Sequence, residues 1–175
     1  RMKHLLICAI LALLVGCGSS GRDMDVIKKS GTLQVATEGA FPPFNFFKDN
    51  RLSGFEIDIA EAMAIKMGLK VKWTTLGFDV HIPALAQDRF DFAIASFAIT
   101  QERGKAVDFT DPHYCSGGQI VSKTGGPKTA AELKGKTVAV QIGTTFADAV
   151  KKVSDIKEIK TFPKDTDEIG RASCR

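Results

Sequence analysis

The feature that most limits what this chain can fold into is an alternation of short apolar runs with helix-patterned runs, and it starts twice. Leu33 to Thr37 (LQVAT) is apolar and bounded by Gly31 and Gly39, which predicts a buried first strand. A turn follows at Pro42-Pro43. Phe55 to Met67 predicts a helix with Ile59, Met63 and Met67 on its apolar face and Glu61 and Lys66 off it. Gly68 supplies the stop. Val71 and Trp73 then alternate with Lys70 and Lys72, as in a strand with one wet face. A short helix around residues 82–87, with Pro83 in its first turn, leads to a buried strand at residues 92–95. The order βαβαβ reads as an α/β fold with a parallel sheet.

The second start lies beyond Gly125-Gly126-Pro127. Thr129-Ala130-Ala131-Glu132 has the spacing of a capping box, in which the threonine and glutamate side chains satisfy each other's backbone N–H groups. Thr137 to Gln141 (TVAVQ) predicts a strand. Gly143-Thr144-Thr145 opens a helix with Phe146, Ala149, Val150 and Val153 as its expected apolar face, and residues 156–161 offer a further strand. The pattern breaks near residues 112–119. Two α/β lobes facing a cleft are therefore expected, and ligands of such sheets bind in the cleft.

Ahead of this body lies a leader. Met2 reads as the start, Lys3 and His4 as a basic n-region, and Leu5 to Val15 as an unbroken apolar run of eleven residues. That is short of the roughly 20 residues a bilayer span needs, and right for a signal peptide over residues 1–16. It ends in Leu14-Val15-Gly16-Cys17, which resembles a bacterial lipobox, with the Cys17 thiol as the lipid acceptor. Residues 17–30, beginning Cys17-Gly18-Ser19-Ser20-Gly21, read as the lipidated cysteine and a flexible tether. The expected location is the cell envelope, anchored by lipid on the extracytoplasmic side.

Composition narrows the function. Hydrophobic residues at 44% and charged residues at 25% are an ordinary globular balance. The net charge of +4 shrinks towards neutrality once Arg1, Lys3 and the terminal Glu168, Arg171 and Arg175 are set aside. No basic stripe is interleaved with aromatics, so no nucleic-acid partner is expected. Of the four cysteines, only Cys115 belongs to the body, and it reads as a small packed residue. No metal-ligand spacing, nucleophile motif or phosphate-binding glycine loop is present. His81 and His113 stand isolated and read as structural or solvated. The expectation is a monomer without metal or cofactor, and not an enzyme.

A family resemblance rests on motifs that follow one another in order. Thr37-Glu38-Gly39-Ala40-Phe41-Pro42-Pro43-Phe44 and Gly54-Phe55-Glu56-Ile57-Asp58-Ile59-Ala60 open the series. Ile82-Pro83-Ala84-Leu85, Phe90-Asp91-Phe92-Ala93-Ile94-Ala95 and Ile99-Thr100-Gln101-Glu102-Arg103 continue it. Val107-Asp108-Phe109-Thr110-Asp111-Pro112 and Val140-Gln141-Ile142-Gly143-Thr144-Thr145 complete it. Together they resemble the family 3 bacterial extracellular solute-binding proteins over roughly residues 31–165. The resemblance implies a type II periplasmic-binding-protein fold, with lobe 1 at 31–112, a hinge at 113–119 and lobe 2 at 120–167. It implies a small-molecule ligand, an amino acid above all, and delivery to the permease subunits of an ABC importer. The same module also serves sensing or chemotaxis systems, and a few relatives such as cyclohexadienyl dehydratases are enzymes.

The resemblance also assigns site residues. Arg103 would grip the ligand's α-carboxylate, since a planar guanidinium offers two parallel charge-assisted hydrogen bonds. Read without the motif, it would be a surface arginine pairing with Glu102 or Asp108. The Thr145 N–H, at a helix N-terminus, would be a second carboxylate contact, while Thr144 or Thr145 caps the helix. Phe41 and Phe78 would flank the ligand. Glu38 would reach its side chain, favouring a cationic or amide-bearing ligand; otherwise it is a strand-end carboxylate in water. Ala95 and Ser96 would line the cleft, and Gln141 would tune specificity with an amide. Ala98 departs from the family, whose amino-acid binders carry serine or threonine there. A lost hydroxyl acceptor is worth roughly 0.5–1.5 kcal/mol.

Residues 168–175 (EIGRASCR) resemble a translated sequencing adapter and read as a non-native tail. Family members continue well beyond this point and supply an aspartate for the ligand's ammonium, so lobe 2 is expected to be incomplete.

Overall fold

A computed structural model describes residues 21–167. The predicted signal peptide 1–16, Cys17 and the tail 168–175 lie outside the described residues. Within the stretch read as a tether, Met24–Ser30 forms helix α1. Its local signals are complete: Asp23 caps it by accepting from the Val26 N–H at 2.8 Å, and Gly31 closes it in the left-handed conformation. Arg22 fixes the segment further, donating to Asp91 Oδ2 at 2.9 Å. The same Asp91 oxygen accepts from the Gln34 N–H at 2.7 Å, so this carboxylate ties the N-terminal segment to the first strand.

Strand β1 (Thr32–Thr37) is the centre of the first lobe. After the segments below, β5 (Lys70–Thr75) and β6 (Phe92–Ala93) pair with it in parallel on either side. Val35 and Ala36 are fully buried. This is the parallel βαβαβ order expected, with one insertion that the apolar pattern did not announce. Between β1 and the first long helix lies an antiparallel meander: β2 (Ala40–Phe41), β3 (Asn45–Lys48) and β4 (Arg51–Ser53). The two-residue turn Asp49-Asn50 has positive φ at both positions, as a hairpin of this hand requires.

Helix α2 (Phe55–Lys66) follows. Gly54 precedes it at φ 128, with the Phe44 carbonyl so close that any Cβ would collide. The buried face of α2 is Ile57, Ala60 and Ala64, not the expected Ile59, Met63 and Met67. Small alanines let the helix backbone sit close to β1 and β5, where it shares a core with Ile27, Leu33, Val35, Leu69 and Ile94. Ile59 and Met67 pack at the margin of that core, and Met63 is 39% exposed. Helix α3 (His81–Leu85) returns towards β6.

In the second lobe, the expected capping box is present: Thr129 and Glu132 open a 3₁₀ turn over Ala130–Leu133. Strand β7 (Thr137–Gln141) runs parallel to β8 (Glu158–Phe162), with helix α4 (Thr145–Lys151) between them in sequence. Ala147 is the buried residue of α4, whereas Phe146 is half exposed and Ala149 exposed. The expected face is thus rotated, because Phe146 points to the cleft rather than into the lobe. Residues 111–122 form no strand or helix, and Cys115 there is exposed, not packed. It lies outside both sheets, so neither core encloses it.

These packing faces predict the order of two substitutions in urea unfolding. Ile57→Ala should cost about 2–5 kcal/mol, and Met63→Ala about 0.5 kcal/mol. The reverse order would restore the face read from the sequence.

Candidate functional site

A cavity of about 590 Å³ opens between the lobes, within the range usual for small-molecule sites. Elements of both sheets aim at it by their C-terminal ends. From lobe 1 come Glu38 just after β1, Phe41 in β2, Phe78 in the turn after β5, and Ala95, Ser96 and Ala98 after β6. Arg103 opens a 3₁₀ turn over Arg103–Lys105 on the same lobe. From lobe 2 come Gln141, the last residue of β7, and Thr145, the first of α4. All of these residues line the one cavity.

Arg103 pairs with neither Glu102 nor Asp108 in the described ion pairs; Glu102 is engaged by Lys105. Its Nη1 donates to the Ala98 carbonyl at 2.8 Å, and its Nη2 to the Gly143 carbonyl at 3.0 Å, so the guanidinium spans the two lobes. Phe78 and Phe97 stack with centroids 4.5 Å apart. The guanidinium carbon lies 5.5 and 5.3 Å from the two rings, hence beside the stacked pair, not between its members. Burial pulls the Arg103 pKa below its ordinary value, and Asp148 opposes this. Ala98, where the family hydroxyl is absent, is exposed and contributes its carbonyl to Arg103.

Glu38 is buried, not water-facing. Its Oε1 accepts from Gln141 Nε2 at 2.5 Å across the cleft. Burial pushes its pKa up to about 7, opposed chiefly by the Gln141 hydrogen bond. Gly143, at φ 77, brings its turn against Asp79; a Cβ there would come within 3 Å of that residue. The helix cap is settled between the two threonines: Thr144 Oγ1 accepts from the Ala147 N–H at 3.1 Å and donates to the Gln141 carbonyl at 2.8 Å. The Thr145 N–H therefore belongs to the first helical turn, where intrahelical partners are lacking.

The residue reading missed the group that holds these walls in place. Glu56, fully buried on α2, accepts from Asn45 Nδ2 at 2.6 Å and from the Ser96 N–H at 2.7 Å. His113 Nε2 lies 3.2 Å from it, so His113 is not isolated. Asn45 in turn accepts from the Gly39 N–H at 2.8 Å. Phe97 and Tyr114 were also missed. Tyr114 stacks on Phe44 at 4.7 Å, which stacks on Phe41 at 5.3 Å. Burial raises the Tyr114 pKa, with the Ser96 hydroxyl opposing. The motif containing Glu56 was legible; its role was not, because a helix-borne acid normally reads as solvent-facing. His81, the other histidine among the described residues, is fully buried, its Nδ1 2.9 Å from the Gly77 carbonyl.

Two parallel sheets thus turn their C-terminal ends to one cleft, which draws polar groups from both. The chain belongs to the bacterial extracellular solute-binding proteins, family 3, whose sequence pattern matches residues 33–172. A probable histidine-binding protein of Campylobacter jejuni is 31% identical over 163 residues, covering 88% of this chain and 64% of the relative. The chain thus spans just under two thirds of that protein's length. An ancestral arginine-binding protein, solved bound to arginine, superposes with a TM-score of 0.78 at 43% identity, covering 81% of this chain and 65% of that one. An ancestral arginine-binding protein is also solved bound to glutamine, at 44% identity and TM-score 0.78 over 81% of this chain and 64% of that one. The ancestral amino acid-binding protein AncCDT-1, a precursor of cyclohexadienyl dehydratase, is 37% identical with a TM-score of 0.80, covering 85% and 68%.

Glu38 makes stability pH-dependent with a definite sign. Its folded pKa of about 7 lies above the ordinary glutamate value of 4.5. The native state therefore holds the proton more tightly, and stability falls as pH rises from about 4.5 through 7. Glu38→Gln should remove this fall, so the variant's urea midpoint should gain on the parent's between pH 5 and pH 8. A constant difference between the two proteins would show that Glu38 does not titrate in that window.

Proposed function

We propose that this chain is the substrate-binding component of an ABC importer for amino acids, anchored by lipid at Cys17 on the extracytoplasmic side of a bacterial membrane. The observation that carries the reading is Arg103. It is a half-buried guanidinium projecting from lobe 1, beside the Phe78–Phe97 pair, with its outer nitrogen already bonded to lobe 2 at Gly143. A ligand α-carboxylate at this point receives two charge-assisted hydrogen bonds, and the nearby Thr145 N–H is a further donor.

The remaining cleft residues take the complementary parts. Glu38 accepts from the ligand's side chain, Phe41 and Phe78 cover its faces, and Gln141 sets which side chains suit. Ala95, Ser96 and Ala98 form the wall near the α-ammonium, with backbone carbonyls as acceptors in place of the family's hydroxyl. Contacts with both lobes stabilise the closed form, which the permease subunits recognise. Binding is favoured over catalysis because even the dehydratase precursor among the similar structures is an amino acid-binding protein.

Arg103→Ala should weaken amino-acid binding about 100-fold, and Arg103→Lys less, in isothermal titration calorimetry. Unchanged affinity in the alanine variant would refute the role. Cys17→Ala should move the protein from the membrane fraction to the soluble extracytoplasmic fraction. A variant that still sediments with membranes would refute the anchor.

A further inference from the structure

The ring of Phe146 is half exposed, although α4 packs on its own lobe through Ala147. It stands at the cavity beside Thr145 and meets the segment that joins the lobes. A Cβ on Gly118 would lie 2.9 Å from Cε1 and 3.1 Å from Cδ1 of this ring, so the ring edge rests directly on the glycine. The φ of Gly118 lies outside the left-handed region, so the backbone itself would accept a side chain and only the ring excludes one. Gly117 also lies outside that region, and the space where its Cβ would stand is open. The joining segment has few other fixed points. Residues 111–122 form no strand or helix and enter no backbone–backbone hydrogen bond among the described residues. Side chains hold its lobe 1 end: His113 lies 3.2 Å from Glu56, and Tyr114 stacks on Phe44. Towards lobe 2, the ring of Phe146 is placed to do the same. Phe146 also follows closely on Gly143, whose carbonyl accepts from Arg103 at 3.0 Å. A shift of the ring therefore moves the turn that meets Arg103.

We propose that Phe146 is a positioning residue for the cleft: its ring, seated on Gly118, fixes the joining segment to the first turn of α4 and so sets where the Gly143–Thr145 turn stands opposite Arg103. This rests on the reading that the cleft binds an amino acid, and it adds a residue that acts through others and not by touching the ligand. The seat has to be glycine, because any Cβ would take the place of the ring. Contact this close works in both directions. Loss of the ring frees the joining segment, and a methyl group at position 118 lifts the ring off its seat. The two changes are therefore not additive. The three atoms nearest a Cβ at position 118 all belong to the Phe146 ring, the third at 3.9 Å, so without the ring the methyl group has room.

The test is calorimetric titration with L-arginine and L-glutamine of the parent, Gly118→Ala, Phe146→Ala, the double variant and Gly117→Ala, with urea midpoints measured alongside. Gly118→Ala and Phe146→Ala should each weaken binding of the amino acid the parent takes by about three- to tenfold. The double variant should bind like Phe146→Ala alone, and Gly117→Ala like the parent. All urea midpoints should stay close to the parent's, because the ring is half exposed and both glycines lie outside the helices and strands. Unchanged affinity in Phe146→Ala overturns the proposal. So does a Gly118→Ala loss that persists once the ring is gone, or an equal loss in Gly117→Ala, since either assigns the effect to glycine freedom in the backbone. A fall in urea midpoint that accounts for the lost affinity makes the ring a prop for folding and overturns it as well. In each of these cases the parent still binds, and the amino-acid reading stands. A parent that binds neither arginine nor glutamine overturns the proposed function, and this inference with it.

Discussion

The carboxylate of Glu56 is the constraint on which the cleft depends. A fully buried carboxylate is costly unless its lone pairs are met by donors, and here the donors come from three separate segments. Asn45 belongs to the meander, Ser96 to the stretch after β6, and His113 to the irregular segment that leaves lobe 1. Each of these segments carries cleft residues. Asn45 passes the constraint on to Gly39, next to Glu38. Ser96 is held with φ at 54, a conformation that a serine rarely adopts, and this turns the chain from β6 towards Ala98 and Arg103. Satisfying one buried charge therefore sets three walls in register.

From that frame the two lobes meet through few but directed contacts. Arg103 reaches the Gly143 carbonyl, Glu38 receives Gln141, and the Gly143 turn sits against Asp79. Each involves the end of a strand or the start of a helix, where backbone groups lack partners within their own element. The cleft is accordingly polar at its seam and aromatic on its flanks. Phe41, Phe44 and Tyr114 form a stacked series from the cavity towards the segment between the lobes.

Much of this was legible in the sequence, for identifiable reasons. Strands β1 and β7 are mostly β-branched and apolar, β5 alternates Lys70 and Lys72 with Val71 and Trp73, all three have clear glycine boundaries, and the capping box at Thr129 has a fixed spacing. The residues that the family resemblance assigned to the cleft line one cavity, and element order alone placed only the cleft itself. The meander was not legible: its strands have two to four residues, too few for a period to show. The buried face of α2 was misread because methionine is more hydrophobic than alanine, whereas close packing on a sheet selects the smaller residue. Phe146 was assigned to a core for the same reason, hydrophobicity being taken for burial. Glu56 was illegible because its partners are distant in sequence, and only the fold brings Ser96 and His113 to it.

The central claim is that Arg103 and Glu38 divide one amino acid between them, carboxylate to the first and side chain to the second. A crystal structure of the protein with arginine tests this most directly. The account predicts the α-carboxylate within about 3 Å of the Arg103 guanidinium and the ligand guanidinium on Glu38, with Gln141 moved off that oxygen. A ligand bound in the reverse sense, or outside the cleft with Arg103 still bonded to Ala98 and Gly143, would contradict it.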